Sequence, residues 1–136
     1  MILLAHFIAS IFLATALFPY FGAYSLLVFV GGFLIDLDHV VFFYMKFRQI
    51  NPLKMYIYFR QIGKKKKFKT YEQVFRPFHT IEIAVLMMVS SFFSQTMLII
   101  AAGYFVHMLM DYSYELYIFK TIRNFSAILY LSGKKW

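Results

Sequence analysis

Hydrophobic residues gather into two long stretches free of basic side chains. Neither Met1–Met45 nor Pro77–Phe119 contains a Lys or Arg, and runs of that length read as membrane spans rather than buried core helices. Turn-forming residues divide each stretch in two. Pro19 and Gly22 interrupt the first, and Ser90, Ser91, Ser94 and Gln95 interrupt the second. The pattern predicts an all-α four-helix transmembrane bundle, one membrane domain over 1–136, with spans at about 2–18, 23–44, 79–93 and 97–119. A span needs about 20 residues, so the first and third are short. Gly31 and Gly32, and Ala101, Ala102 and Gly103, offer small surfaces where helices can approach closely. The first segment lacks a basic leader and Ala14-Thr15-Ala16 is a weak cleavage site, so it is expected to remain as a span.

Charge orients this bundle. Hydrophobic residues make up 62% of the chain and charged residues 15%, against about a quarter charged in a soluble domain. The net charge of +8 does not point to nucleic acid, because ten of the fourteen basic residues lie between Lys46 and Arg76. Basic residues confined to a loop between apolar spans place that loop, 46–76, in the cytoplasm. Both termini follow it, in agreement with Lys120, Arg123, Lys134 and Lys135. The expected location is therefore the cytoplasmic (inner) membrane, multi-pass. Within the loop, Pro52–Ile62 has the pattern of a short interfacial helix. The run Lys64–Lys67 either sets topology alone or also attracts anionic lipid. Cysteine is absent, which removes disulfides and thiolate metal ligands.

The polar residues sit where an apolar span would exclude them. Each span carries one histidine: His6, His39, His79 and His107. Five of the six acids also fall in spans: Asp36, Asp38, Glu82, Asp111 and Glu115. An acid at mid-helix costs about 2.5–3.5 kcal/mol on insertion scales, so such groups face the interior and mark function. Residues three or four apart share a helix face. That places Asp36 with His39, His79 with Glu82, and His107 with Asp111 and Glu115. Helical rise puts all of these in the cytoplasmic half except His107, which lies near mid-membrane. Imidazole plus carboxylate is a ligand set for Zn²⁺, Mn²⁺ or Fe²⁺. Helix-packing histidines, a haem held by paired histidines and a proton or ion path are the competing readings. Haem does not account for the five acids.

Three motifs then carry a family resemblance. Gly31-Gly32-Phe33-Leu34-Ile35-Asp36-Leu37-Asp38-His39 resembles the glycine-led D-x-D-H segment of the YdjM-like membrane proteins, a family described as membrane-bound metal-dependent hydrolases. Arg76-Pro77-Phe78-His79-Thr80 resembles that family's H-x-x-x-T-H-S region, and Gly103 through His107 to Asp111 its G-x-x-x-H-x-x-x-D helix. His6 matches an early histidine. Thr80-Ile81-Glu82 departs from the usual serine-leucine pair, and only Arg76 stands where the family often has a further His and Arg. The ligand types also resemble, remotely, those of zinc-dependent phospholipase C.

The resemblance implies a hydrolase, and the residues imply metal. The expected ligands of one or two divalent ions, zinc first and Mn or Fe as alternatives, are His6, Asp36, His39, His79, His107 and Asp111. Asp38 or Glu82 is expected to accept a proton from metal-bound water or orient a ligand histidine. Arg76 is expected to hold a phosphate. The expected substrate is a lipid phosphoester at the cytoplasmic face. The alternative is a non-enzymatic metal-binding or assembly subunit of the membrane, or an ion- or proton-conducting protein, with oligomers open in either case.

Overall fold

A computed structural model describes residues 3–64, 76–120, 126–128 and 132. Among these residues every regular element is helical and none is a strand. Of the basic run Lys64–Lys67, the last three residues lie outside the described residues.

Helix α1 (Leu3–Phe21) runs through Pro19, so the turn falls at Gly22. Gly22 has φ +55°, a left-handed conformation that an L side chain enters only at a cost. The chain then doubles back, and the following segment packs along α1. Its sequence suggested one continuous span over 23–44. The structure instead shows a 3₁₀ segment (Gly22–Leu27), a short α2 (Val28–Gly32), a second 3₁₀ turn (Leu34–Asp36) and α3 (Leu37–Phe47). The ladder is interrupted at Phe33: the Asp36 amide bonds the Phe33 carbonyl at 3.3 Å, not that of Gly32. Helix α4 (Pro52–Lys64) follows. A 3₁₀ turn (Pro77–His79) leads through extended Thr80 (φ −107°, ψ 157°) into α5 (Ile81–Ser91), and α6 (Gln95–Phe119) closes the fold.

Two helical stretches are long and apolar enough to cross a membrane, Leu4–Phe47 and Gln95–Phe119. The first folds back at Gly22 and is a hairpin rather than one rod. Helix α5 has eleven residues, about 17 Å of rise, less than the roughly 30 Å of a hydrocarbon core.

The helices meet through glycine. A Cβ on Gly31 would collide with the Ile100 carbonyl oxygen, and one on Gly103 with that of Val28. The α2 and α6 backbones are therefore in direct contact, the close approach that small residues permit. Apolar packing gathers on either side of this crossing: Ala14, Val28 and Ile99 toward the Gly22 turn, and Ile35, Tyr104 and Met108 beside α5. Beyond these clusters the usual arrangement is inverted. Among the described residues, buried polar or charged side chains outnumber buried hydrophobic ones. Large apolar residues such as Leu4, Phe12, Phe18, Leu86 and Leu109 stand at the surface.

Candidate metal centre

The interruption at Phe33 decides the chemistry of His107. Because Asp36 does not take the Gly32 carbonyl, that oxygen is free to accept a hydrogen bond from His107 Nδ1 at 2.9 Å. A carbonyl only accepts, so Nδ1 carries the proton and Nε2 is left with its lone pair. His79 is fixed in the same way. Its Nδ1 donates to Asp38 Oδ2 at 2.9 Å, which leaves its Nε2 as the acceptor. Backbone carbonyls of the segment carrying His79 are latched to α6 by two tyrosines. Tyr104 Oη donates to the Phe78 carbonyl at 3.1 Å, and Tyr112 Oη to the His79 carbonyl at 3.1 Å.

The two acceptor nitrogens face each other across 3.0 Å. Two neutral lone pairs at that distance repel, and either a proton on one of them or a metal ion bound by both relieves the contact. Two carboxylates point into the same space. Asp36 Oδ1 lies 3.7 Å from His79 Nε2 and 3.6 Å from His107 Nε2. Asp111 Oδ2 lies 3.4 Å and 3.8 Å from the same atoms. None of the four oxygens of Asp36 and Asp111 has a hydrogen-bond partner, and all are buried. A buried carboxylate that makes no hydrogen bond is costly unless positive charge beside it compensates. Ligands 2.0–2.1 Å from a tetrahedral ion are separated by about 3.3–3.4 Å, and the observed separations bracket that value. Asp36, His79, His107 and Asp111 therefore form a buried group that can hold a metal ion.

A second group, Asp36, Asp38, His39 and His79, also meets the distance requirement. Its geometry is different. Asp38 is already engaged on both sides, accepting from His39 Nδ1 at 2.6 Å and from His79 Nδ1 at 2.9 Å. Those hydrogen bonds already occupy Asp38 and the Nδ1 atoms of both histidines. The structure thus places Asp38 as the carboxylate that orients His79, and His39 as its other partner.

The remaining residues singled out in the sequence surround this core. His6 belongs to neither group. Its ring stacks on His107 with centroids 4.1 Å apart. Its Nε2 lies 3.1 Å from Asp111 Oδ1, within ion-pair range but without the alignment of a hydrogen bond. Arg76 is buried, paired with Glu115 in a very short contact and 3.7 Å from Asp111 Oδ2. Its guanidinium, expected to meet a phosphate, is turned to the protein's own carboxylates. Glu82 lies in neither group. Its carboxylate accepts from the Ser126 hydroxyl and from the amides of Ala127 at 3.0 Å and Ile128 at 3.3 Å. Among the described residues four carboxylates, Asp36, Asp38, Asp111 and Glu115, are buried with one guanidinium, and a divalent cation would reduce that imbalance.

The sequence offered no signal for the Gly32 carbonyl or the two tyrosine latches. Glu115 was visible as the continuation of the His107–Asp111 face, without a partner.

No protein-family model, curated protein or solved structure matches this chain. What the site can do rests on its own residues.

Proposed function

We propose that this chain is a multi-pass protein of the inner membrane that binds one divalent ion at Asp36, His79, His107 and Asp111. It uses the ion to hydrolyse a lipid phosphoester near the cytoplasmic face. The observation that supports the metal is the pair of Nε2 atoms at 3.0 Å, each the acceptor nitrogen of its neutral ring because Nδ1 makes the outer hydrogen bond, and ringed by carboxylate oxygens that make no hydrogen bond. Zinc fits the mixed imidazole and carboxylate set best, with Mn and Fe as alternatives. The membrane reading is supported by the apolar exterior and polar interior. Irregular backbone at membrane depth is tolerated where protein groups satisfy it, as His107 does for the Gly32 carbonyl at this break. With Gln95 at the outer edge of a bilayer about 30 Å thick, the rise of about 18 Å to His107 would put the centre just past the middle, on the cytoplasmic side.

Hydrolysis is supported by the resemblance to the YdjM-like proteins. When bound, the ion would lower the pKa of a coordinated water to about 7 and polarise the phosphoryl oxygen. The chain's own part is to hold the ligands in one tautomer and one orientation through Asp38 and the Gly32 carbonyl. One observation favours a second reading. Four protein ligands complete a tetrahedron, as in structural sites, whereas catalytic zinc keeps a position open. A metal-binding or assembly subunit is that alternative.

The test is elemental analysis of the purified protein together with phosphate release from a panel of phospholipids and lipid phosphates in proteoliposomes. Wild-type protein is expected to carry about one ion and to release phosphate or headgroup, and Asp111→Ala to lose both. Fully metallated protein that is inert across the panel would establish the closed-site reading. An Asp111→Ala variant retaining metal would overturn the assigned ligands.

A further inference from the structure

Helix α4 has two apolar faces, and contacts among the described residues are made by one of them. Its inner face meets α3 through aromatic rings. Phe59 stands edge-on to His39 with centroids 5.0 Å apart. Tyr58 packs against Phe43 at 5.9 Å and Phe47 at 5.1 Å, and accepts a hydrogen bond from Lys46 Nζ at 2.8 Å. Ile62, on the same side, is buried. On the opposite side Leu53, Tyr56 and Ile57 are 67%, 43% and 43% exposed. Their i, i+3, i+4 spacing makes them one stripe. Lys54 flanks it and Arg60 ends it one turn on along the same face, with the Arg60 guanidinium 5.8 Å from the Tyr56 ring centre. The apolar stretch that precedes α4 ends at Phe47, with four residues between it and Pro52.

We infer that α4 lies along the cytoplasmic surface of the bilayer, with Leu53, Tyr56 and Ile57 in the boundary between headgroups and acyl chains, and that this seat holds Phe59 as a lid over His39. The inference rests on reading the apolar helices as membrane spans. The occupant of the stripe is the protein's own bilayer for two reasons. The stripe begins where the preceding span would leave the membrane, and Lys54 at its side and Arg60 at its end complement anionic headgroups. Behind the lid the contacts are continuous. Phe59 touches His39, His39 bonds Asp38, and Asp38 bonds His79 at the candidate centre. A lipid phosphoester approaching from the headgroup layer would thus meet α4 before it met the metal ligands.

The chain has no cysteine, so single cysteines can carry nitroxide labels in vesicles of phosphatidylcholine and phosphatidylglycerol. Labels at L53C and I57C are expected to collide with oxygen and be shielded from an aqueous nickel chelate, with K54C and Q61C the reverse. L109C, on the exposed side of α6, reports on the span. Water-exposed L53C and I57C beside a lipid-shielded L109C would overturn the seat while leaving the membrane reading intact. A water-exposed L109C would overturn both. The lid is read by mass spectrometry of His39 acylation with diethylpyrocarbonate, which needs no bound metal. Phe59→Ala is expected to raise it about fivefold or more, and Phe59→Leu, which keeps the apolar contact, to stay within about twofold of wild type. Equal acylation of His39 in wild type and Phe59→Ala would overturn the lid.

Discussion

His79 and His107 bring their Nε2 atoms to 3.0 Å while each commits its Nδ1 proton elsewhere, the first to Asp38 and the second to the Gly32 carbonyl. Neither imidazole can relieve the other while both are neutral. The outer partners therefore matter as much as the pair itself, and the first prediction concerns one of them.

Asp38→Asn keeps the shape of the side chain and removes its charge. Loss of such an outer partner lowers metal affinity by about 10–100-fold. His107→Ala removes a ligand and is expected to reduce affinity further. Competition with a chelator of known strength ranks wild type, Asp38→Asn and His107→Ala. An Asp38→Asn protein as tight as wild type would return Asp38 to a different role.

Gly31 and Gly103 sit where the α2 and α6 backbones touch. A methyl group there meets backbone, which cannot swing aside as a side chain can. Overpacking costs about 1–3 kcal/mol, occasionally more, and the upper part of that range is expected for Gly31→Ala and Gly103→Ala. Gly22→Ala, with open space around it but φ +55°, is expected to cost about 1–2 kcal/mol from conformation alone. Unfolding in detergent measures all three.

Arg76 and Glu115 form a buried ion pair. Removing one partner of such a pair costs about 3–5 kcal/mol, whereas replacing both with apolar residues of similar volume is often neutral. Arg76→Met is accordingly expected to unfold easily and Arg76→Met with Glu115→Met to recover. If the recovered double variant still hydrolyses its substrate, Arg76 does not hold the phosphate. Stable protein with hydrolysis lost would place the guanidinium on substrate after all.

Glu82 anchors the 126–128 segment and touches neither metal-compatible group. Glu82→Gln is expected to leave metal content within about twofold of wild type while amide exchange at Ala127 and Ile128 accelerates, since hydrogen bonds to a charged acceptor are the stronger kind. Loss of metal in this variant would contradict the placement.

Much of this arrangement is legible in the chain, for physical reasons that can be named. The turn at Gly22 follows from its turn-forming residues, and the basic segment from Lys46 and the gathering of buried acids and histidines follow from hydropathy and charge. Asp36 and His39, three apart, do approach, at 3.4 Å. The same spacing rule misplaced Glu82. It assumed a continuous helix from His79, but Thr80 is extended, so the chain swivels between the two residues. The break at Phe33 was invisible for a related reason. An apolar run reads the same whether its ladder is continuous or interrupted, and here the interruption is matched by a hydrogen bond from His107, distant in sequence.

That interruption sets a trap for anyone selecting sturdier versions of this protein. A substitution that let the ladder run unbroken past Phe33 would add a backbone hydrogen bond and could raise the melting temperature. It would also return the Gly32 carbonyl to its own helix and free His107 to carry its proton on the wrong nitrogen. Heat-based screening would thus reward chains that fold well and bind nothing, unless metal retention is scored alongside it.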